Sequence, residues 1–328
     1  MNVRRHLPAA ALAALSVLAV PVLSACSTDA ADGKNDGRLR VTASFYPMEF
    51  LAKEIGGNHV AVTTLTSPGT EPHDLELSPR QTADLGESDV IVYLKGLQPA
   101  VDGVVEQSGV RHTVDAASLT TLEKHGDEVD GHAHGSGDAH EAGHDEHGHD
   151  HEAGGNDPHI WLDPVRFAQV AKGVGKAFAD ADPGHKADYT KNTDALVKKL
   201  DGLDATFRDG LKNKSSDTFI TTHAAFGYLA ERYGLVEEAI SGLDPESGDV
   251  SGSRVKELQK LAKDHHVSTV FFETLTSPAT AKTLAKDIGV KTDVLDPIEG
   301  ITDDSKGTDY LKVMESNLAA LRKALGAK

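Results

Sequence analysis

The histidines of this sequence occur in two kinds of setting, and both contain side chains that can bind a transition metal. Residues 125–155 hold eight histidines and nine carboxylates, with no lysine or arginine among them. A segment with so few apolar residues has nothing to bury, so we expect a disordered loop that projects from the first lobe. Its imidazoles could bind extra zinc weakly and reversibly, or the loop could be a solvated linker without a function.

Three histidines outside that loop lie where predicted strands give way to loops. His73 is in EPHDLELSP, His159 is in NDPHIWLDP, and His223 ends the predicted strand DTFITTH. Ligands of open parallel α/β sheets bind at the carboxyl ends of the strands, so these side chains could converge on one cleft. Taken singly, each could instead cap a helix or hydrogen-bond within its loop. Five other histidines lie in surface-like or helix-end sequence and are expected to be ordinary capping or hydrogen-bonded residues: His59, His112, His185, His265 and His266.

Short β-branched segments alternate with helical ones in both halves of the chain, as expected for parallel βαβ units. The predicted fold class is therefore α/β, with two lobes, each a parallel sheet flanked by helices. The predicted strands are, in chain order, LRVTASFY, VAVTTLTS, DVIVYLKG, VRHTVDAA, DTFITTH, LVEEAIS, VSTVFFET and VKTDVLDP.

One long helix is predicted to join the two lobes. Apolar or small residues recur at spacings of three or four from Tyr189 to Leu211, which is the pattern of an amphipathic helix. A helix of about 28 residues would span roughly 42 Å and could contact both lobes. We therefore expect a rigid connection rather than a flexible hinge.

The N-terminus has the pattern of a targeting signal. A basic stretch, MNVRRH, precedes an apolar one that ends in LSAC. This arrangement is typical of a bacterial lipoprotein signal, with cleavage before Cys26 and lipidation of that cysteine. A simple secretory signal or an uncleaved membrane anchor is the alternative. The expected organisation is a signal peptide (1–25), a flexible tether (26–38), a first lobe (39–183), a linking helix (184–213) and a second lobe (214–328).

Composition narrows the kinds of partner and of metal site. The formal net charge of −18 argues against binding nucleic acid or anionic lipid through a basic surface. Cys26 is the single cysteine, so the mature chain cannot form an internal disulfide. A transition-metal site must therefore use histidine and carboxylate ligands rather than thiolates.

Four stretches together resemble a known family, and they occur in that family's order. EPHDLELSP, DPHIWLDP, TTHAAFGYLAERYGL and FFETLTSP are similar to signature segments of zinc- and manganese-binding solute-binding lipoproteins of bacterial ABC importers, the ZnuA/AdcA-like group. The resemblance extends over residues 39–328. It implies that His73, His159 and His223 are metal ligands, and a histidine-rich acidic insertion before DPHIWLDP is typical of the zinc branch.

The resemblance leaves the fourth ligand open within VLDPIEGIT. Glu299 matches the glutamate of some members and is favoured, whereas Asp296 matches the aspartate of others, and water is a third choice. Glu273 is expected to support the site without binding the metal, and Glu71 could approach it. Manganese-selective members have glutamate at the position of His223, so histidine there favours Zn(2+), although manganese remains the alternative.

The function implied is capture of zinc outside the cytoplasm, at the outer face of the cell membrane. The expected partner is an importer permease with its cytoplasmic ATPase, and we expect a monomer. A metal-buffering adhesin is the alternative within the family. A zinc hydrolase is the alternative from another class, but the sequence has no His-Glu-x-x-His helix and no Ser/His/Asp arrangement.

Overall fold

The computed structural model describes residues 37–126, 155–245 and 250–328. The predicted lipidation site Cys26 and all but the first of the loop histidines lie outside these residues. That first one, His125, is described and differs from the expectation, because it packs against the fold rather than projecting from it. Within the described ranges, no helix is long and apolar enough to cross a membrane.

The first half of the chain builds a four-stranded parallel sheet, as the alternation of segments predicted. Its order is β2-β1-β3-β4, so the chain starts in the middle of the sheet and adds strands on both sides. All four residues of β3 are buried, as expected for a central strand covered on both faces. The strands are β1 (Leu39–Ala43), β2 (Val60–Thr64), β3 (Val90–Tyr93) and β4 (His112–Asp115).

The second half repeats this topology with four more parallel strands in the order β6-β5-β7-β8. Both sheets therefore direct the carboxyl ends of their two central strands towards loops on one edge, where ligands of such folds bind. The strands are β5 (Thr218–Thr221), β6 (Val236–Ala239), β7 (Thr269–Phe272) and β8 (Lys291–Val294).

Helices connect the strands and cover the sheets, and local sequence signals set several of their ends. Ser78 and Gln81 form a capping box at the start of α2, and Gly289 ends α8 in the left-handed conformation. The helices are α1 (Tyr46–Gly56), α2 (Pro79–Gly86), α3 (Pro99–Gln107), α4 (Pro164–Ala181), α5 (Lys186–Gly210), α6 (Gly227–Tyr233), α7 (Gly252–Asp264), α8 (Ala279–Ile288) and α9 (Tyr310–Ala324).

One continuous apolar core joins the two lobes. It includes residues of β1 and β3 from the first sheet, of α4 and α5, and of α6 and α9 from the second half. Two smaller cores lie apart from it, one between the first sheet and helices α2 and α3, the other between the second sheet and helices α7 and α8. Because interiors are densely packed, a shared core restricts movement of one lobe against the other.

The long helix is present as α5, 25 residues that would measure about 38 Å. It packs against α1, α4 and α9, so it contacts helices from both halves of the chain. The residues that predicted its apolar face are buried: Tyr189, Thr193, Leu196, Leu200, Leu203 and Phe207. A 3-10 turn, Pro183–His185, immediately precedes it.

Helix α4 was not predicted from the sequence. It contains Gly173 and Gly175, which weaken a helical pattern because glycine has poor helix propensity. The structure gives the reason for both residues. A Cβ on Gly173 would lie 2.3 Å from Leu119, and one on Gly175 would lie 2.1 Å from Thr193 Oγ1 on α5.

We expect Gly175→Ala to destabilise the protein, because the added methyl overlaps Thr193 where α4 and α5 meet. Overpacking of this kind costs about 1–3 kcal/mol, and the better helix propensity of alanine offsets about 1 kcal/mol of that cost. The net loss would lower the urea midpoint of the zinc-free protein followed by circular dichroism. Gly202→Ala on α5 is the matched control. No atom lies within 4 Å of the added methyl there, so the substitution should stabilise by about 1 kcal/mol. A Gly175→Ala variant as stable as the wild type would contradict the proposed packing constraint.

Candidate metal centre

His73 lies in the loop after β2, and a buried glutamine fixes that loop. Nε2 of Gln98 donates to Thr66 Oγ1 over 3.0 Å and to the carbonyl oxygen of Pro72 over 3.2 Å. The backbone N–H of His73 donates to Glu71 Oε1 over 3.2 Å. Because Gln98 is only 1% exposed, the loop that presents His73 is anchored from the interior.

His159 is fully buried at the start of a short 3-10 turn, and its ring orientation is set by a carboxylate. Oδ1 of Asp157 accepts from the backbone N–H of His159 over 2.9 Å and from its Nδ1 over 2.8 Å. In the same turn, Nε1 of Trp161 donates to the carbonyl oxygen of Pro297 over 2.6 Å. Pro297 is two residues from Glu299, so this bond joins the segment of His159 to that of Glu299.

His223 follows β5 and has a carboxylate partner from the neighbouring strand. Its Nδ1 lies 2.9 Å from Oε1 of Glu273, which is 3% exposed and follows β7. The hydroxyl of Thr222 also donates to this oxygen. Paired strands therefore supply both the histidine and the group that orients it. Glu273 has the supporting position expected from the sequence.

Glu299 lies in the loop after β8, three residues after Asp296. The turn between these two carboxylates directs their side chains to different partners. Ile298 has a φ of +61°, a strained value for a β-branched residue. Asp296 stabilises this turn, because its Oδ1 accepts from the N–H of Ile298 over 2.8 Å and its Oδ2 accepts from Thr274 over 3.2 Å. One carboxylate oxygen of Asp296 is thus used by its own loop and the other by Thr274, which follows β7, whereas Glu299 faces the histidines.

The four side chains favoured by the sequence meet at one point. Oε1 of Glu299 lies 3.2 Å from Nε2 of His159, 3.3 Å from Nε2 of His73 and 3.5 Å from Nε2 of His223. One ligand atom from each of the four residues lies within 4.8 Å of all the others. The side chain of His73 is 9% exposed, whereas the other three are at most 1% exposed.

The nitrogens that face one another are the ones free to bind a metal. Carboxylates accept from Nδ1 of His159 and of His223, which places the proton on Nδ1 and leaves Nε2 as the donor atom of a neutral ring. Nε2 of His223 and Oε2 of Glu299 are buried with no hydrogen-bond partner among the described residues. Buried polar atoms are normally satisfied, so this set fits a divalent cation bound between them.

Without a metal, His159 and His223 bind protons more tightly than isolated histidines would. Burial by itself lowers the pKa of His159, but the hydrogen bonds and charges of Asp157 and Glu299 outweigh burial and raise the pKa to about 9. Burial acts likewise on His223, and the carboxylates of Glu273 and Glu299 raise its pKa well above the ordinary value. In the zinc-free protein both rings therefore keep an extra proton to higher pH than a free imidazole does.

Two carboxylates near the cluster have pKa shifts of opposite sign. Burial would raise the pKa of Glu299, yet the three imidazole rings that face its carboxylate hold it well below its usual range. At Glu71, burial and the nearby charge of Glu299 raise the pKa to about 8. Glu71 is therefore close to the site electrostatically, but it is not one of the four converging residues.

Among the residues that the structure describes, no second group of three or more such ligands converges. His59 and His185 stack on each other at a centroid distance of 4.0 Å, away from the cluster. Asp157 is the supporting residue that the sequence did not predict. Its position two residues before His159 could have indicated this role, because an aspartate side chain often accepts from the backbone N–H two residues later.

The fold and this cluster define the class: a two-lobed α/β protein whose sheets hold three imidazoles and one carboxylate in the arrangement of a metal site. Residues 41–324 match the family described as ZnuA, zinc-uptake complex component A, periplasmic. The chain belongs to this family. It is a family of uptake components rather than enzymes, so the zinc hydrolase alternative is wrong.

Relatives in several bacteria are similar over most of this chain. The zinc-binding lipoprotein AdcA of Streptococcus pneumoniae is 36% identical over 315 residues, which cover 94% of this chain and 59% of AdcA. The chain thus spans little more than half of that relative. The high-affinity zinc uptake system protein ZnuA of Bacillus subtilis is 33% identical over 320 residues, which cover 97% of this chain and 97% of ZnuA.

Solved structures show the same fold. The Zn(II)-bound ZnuA-like domain of S. pneumoniae AdcA is 32% identical, with a TM-score of 0.71 over 88% of this chain and 99% of the domain. The laminin-binding protein Lmb of Streptococcus agalactiae, described as bifunctional with adhesin and metal-transporting activity, is 30% identical, with a TM-score of 0.73 over 88% of this chain and 99% of Lmb.

Because zinc needs neutral imidazoles, we expect the first equivalent of zinc to release about one to two protons per protein at pH 7. The pKa of about 9 at His159 sets the sign: raising the pH towards 9 removes competing protons and strengthens binding, and lowering it weakens binding. Calorimetric titration in two buffers of different ionisation enthalpy measures the protons released.

The same titration repeated above pH 9 is the internal control, because fewer protons remain to be displaced there. A binding enthalpy independent of the buffer at pH 7 would contradict the assignment of protonated rings to the zinc-free site.

Proposed function

We propose that this chain is the extracytoplasmic receptor of a zinc importer. It captures Zn(II) between its lobes on His73, His159, His223 and Glu299 and delivers the ion to the permease of an ABC transporter. The observation that carries the proposal is the convergence of these four ligand atoms within 4.8 Å in a member of the zinc-uptake family. The ion is cargo, bound and released without chemical change.

The ligand set favours zinc over manganese. Three imidazole nitrogens and one carboxylate oxygen are a common set for tetrahedral Zn(II), with bonds of about 2.0–2.2 Å. Manganese prefers oxygen-rich, six-coordinate sites. His223 contributes nitrogen, and two further buried carboxylates, Glu273 and Asp157, are engaged with the far nitrogens of His223 and His159.

The unequal exposure of the ligands suggests an order of capture. His73 is the most exposed of the four and lies on a loop rather than at the end of a buried strand, so an arriving ion meets it first. The other imidazoles are already oriented by Asp157 and Glu273. Binding to preformed ligands needs little reorganisation, which suits tight and rapid capture of a scarce ion.

The shared core favours small movements during capture and release. Since α5 and the apolar core connect the two lobes, wide closure would have to break interior packing. The loops of His73 and Glu299 are better placed to move, because they meet at a surface contact where Gly69 lies near Thr302. We propose that the permease opens the site by displacing these loops.

The proposed location is the outer face of the cell membrane, where lipid on Cys26 keeps the receptor near its permease. The match to a periplasmic component and the lipoprotein name of the pneumococcal relative support this location. The receptor is proposed to act as a monomer. The burial of His159, His223 and Glu299 favours transport over adhesion as the purpose of the cluster, because buried groups cannot contact a host protein.

We expect His73→Ala, His159→Ala and His223→Ala each to abolish tight zinc binding by the mature protein. Each substitution removes one of four bonds to the ion, and the remaining buried groups cannot replace it. Competition of half an equivalent of zinc against a chelator of known affinity measures the tight site alone and excludes weak binding by the histidine-rich segment.

His112→Ala is the matched control, because His112 lies on β4 outside the cluster, and its variant should bind zinc as the wild type does. In cells, the three ligand variants should fail to restore growth of a deletion strain in chelated medium unless zinc is added. Unchanged tight binding in all three variants would contradict the proposal.

A further inference from the structure

Asp157 is held by two histidines, although only one of them belongs to the metal cluster. Its Oδ1 accepts from His159, whereas its Oδ2 lies 2.9 Å from Nδ1 of His125. The carboxylate is fully buried, while the side chain of His125 is 20% exposed. The two bonds use opposite oxygens, so together they fix the rotation of the carboxylate and hence the direction of the bond to His159.

The position of His125 is itself built by the second half of the chain. Its ring packs edge-on against Tyr228 of α6, with the centroids 4.6 Å apart. A Cβ on Gly227 would lie 2.4 Å from the Cβ of His125, so only glycine leaves room for it. On the far side, Nε2 of His125 lies 3.6 Å from Oε2 of Glu231, also on α6.

The backbone around His125 is connected to the same helix. The hydroxyl of Tyr228 accepts from the N–H of Glu123 over 2.8 Å and donates to the carbonyl oxygen of Asp157, also over 2.8 Å. The N–H of Asp157 donates to the carbonyl oxygen of Glu123 over 2.9 Å. The segments of Glu123 and Asp157 thus both bond to the hydroxyl of Tyr228, and the bond from His125 to Asp157 adds a further link between them.

We propose that His125 is a positioning residue for the zinc ligand His159, acting through the carboxylate of Asp157. This inference rests on the proposed function, since it assigns His125 a role only if His159 binds zinc. The contacts with α6 mean that the second lobe also supports the geometry of a ligand contributed by the first. Groups behind a metal-bound histidine fix its tautomer and orientation, and their loss typically weakens metal binding 10–100-fold.

Removing the N–H of His125 while keeping a planar ring is the direct test. In His125→Phe, Oδ2 of Asp157 loses its partner and the carboxylate is free to rotate. We expect zinc affinity in the mature protein to fall about tenfold, at the lower end of the range for supporting groups because His125 acts through a second residue. This loss of affinity should appear as a larger dissociation rate constant for zinc, which is measured by transfer of zinc to a chromophoric chelator.

His125→Asn separates positioning from packing. Its side-chain amide can supply an N–H near the place of Nδ1 but fills less space, so we expect affinity within about threefold of the wild type if the hydrogen bond matters. His112→Phe is the control for introducing a phenylalanine. Thermal unfolding of each zinc-free variant reports whether the fold survives.

Cobalt(II) gives a readout that a purely structural role would not change. With one equivalent bound, its visible absorption reports ligand geometry, and we expect altered bands in His125→Phe and near-native bands in His125→Asn. Wild-type affinity and spectrum in His125→Phe would overturn the inference, as would an asparagine variant as weak as the phenylalanine one. If only this inference fails, His159→Ala still loses tight zinc binding. If the proposed function itself fails, His159→Ala binds zinc as the wild type does.

Discussion

The structure depends on one buried carboxylate oxygen that faces three imidazoles. Oε1 of Glu299 lies within 3.5 Å of Nε2 of His73, His159 and His223. A charge in such a dry place is stable only when it is paired, and in the zinc-free protein the raised proton affinity of His159 and His223 supplies that pairing. A divalent cation can replace the protons on these rings, so the same groups serve both states.

That arrangement requires a second layer of carboxylates. Asp157 and Glu273 accept from the far nitrogens of His159 and His223, which keeps the near nitrogens directed at the centre. These bonds must survive both the protonated and the metal-bound state. The interior therefore supports them from several directions, with Thr222 behind Glu273 and His125 behind Asp157.

The frame that carries the ligands is correspondingly rigid. Trp161 donates to the carbonyl oxygen of Pro297, and the hydroxyl of Tyr310 on α9 donates to the carbonyl oxygen of Trp161. The segment of His159 is thus bonded to the loop of Glu299 and to the last helix. Together with the continuous core, these bonds hold ligands from both lobes at separations suited to one ion, so selectivity can reside in fixed geometry.

Much of this architecture was predictable because the signals are local. The eight strands in the described ranges lie within the predicted β-branched segments, and α5 lies where the apolar spacing predicted a helix. Helix α4 was missed because Gly173 and Gly175 weaken a helical pattern, and their purpose is visible only in the packing against Leu119 and Thr193. The sequence could name candidate ligands, but it favoured Glu299 over Asp296 only through the resemblance to the family. The left-handed turn at Ile298 separates those two, and no local pattern indicates it.

The contacts of His125 lay beyond sequence reasoning for a different reason. Its neighbours Asp157 and Tyr228 are 32 and 103 positions away, and the residue begins a stretch whose composition predicts no packing. A chemically conspicuous segment thus begins with one histidine that belongs to the folded frame. Spatial convergence of distant residues is what the sequence alone does not provide.

X-ray absorption at the zinc edge would show which atoms bind the ion. The mature protein would be loaded with half an equivalent of zinc, so that only the tightest site is filled. The proposed four-ligand site predicts four nitrogen or oxygen neighbours at about 2.0–2.2 Å, with the outer-shell scattering of three imidazole rings. A first shell of five or six oxygen-type neighbours, or scattering from fewer than three rings, would contradict it.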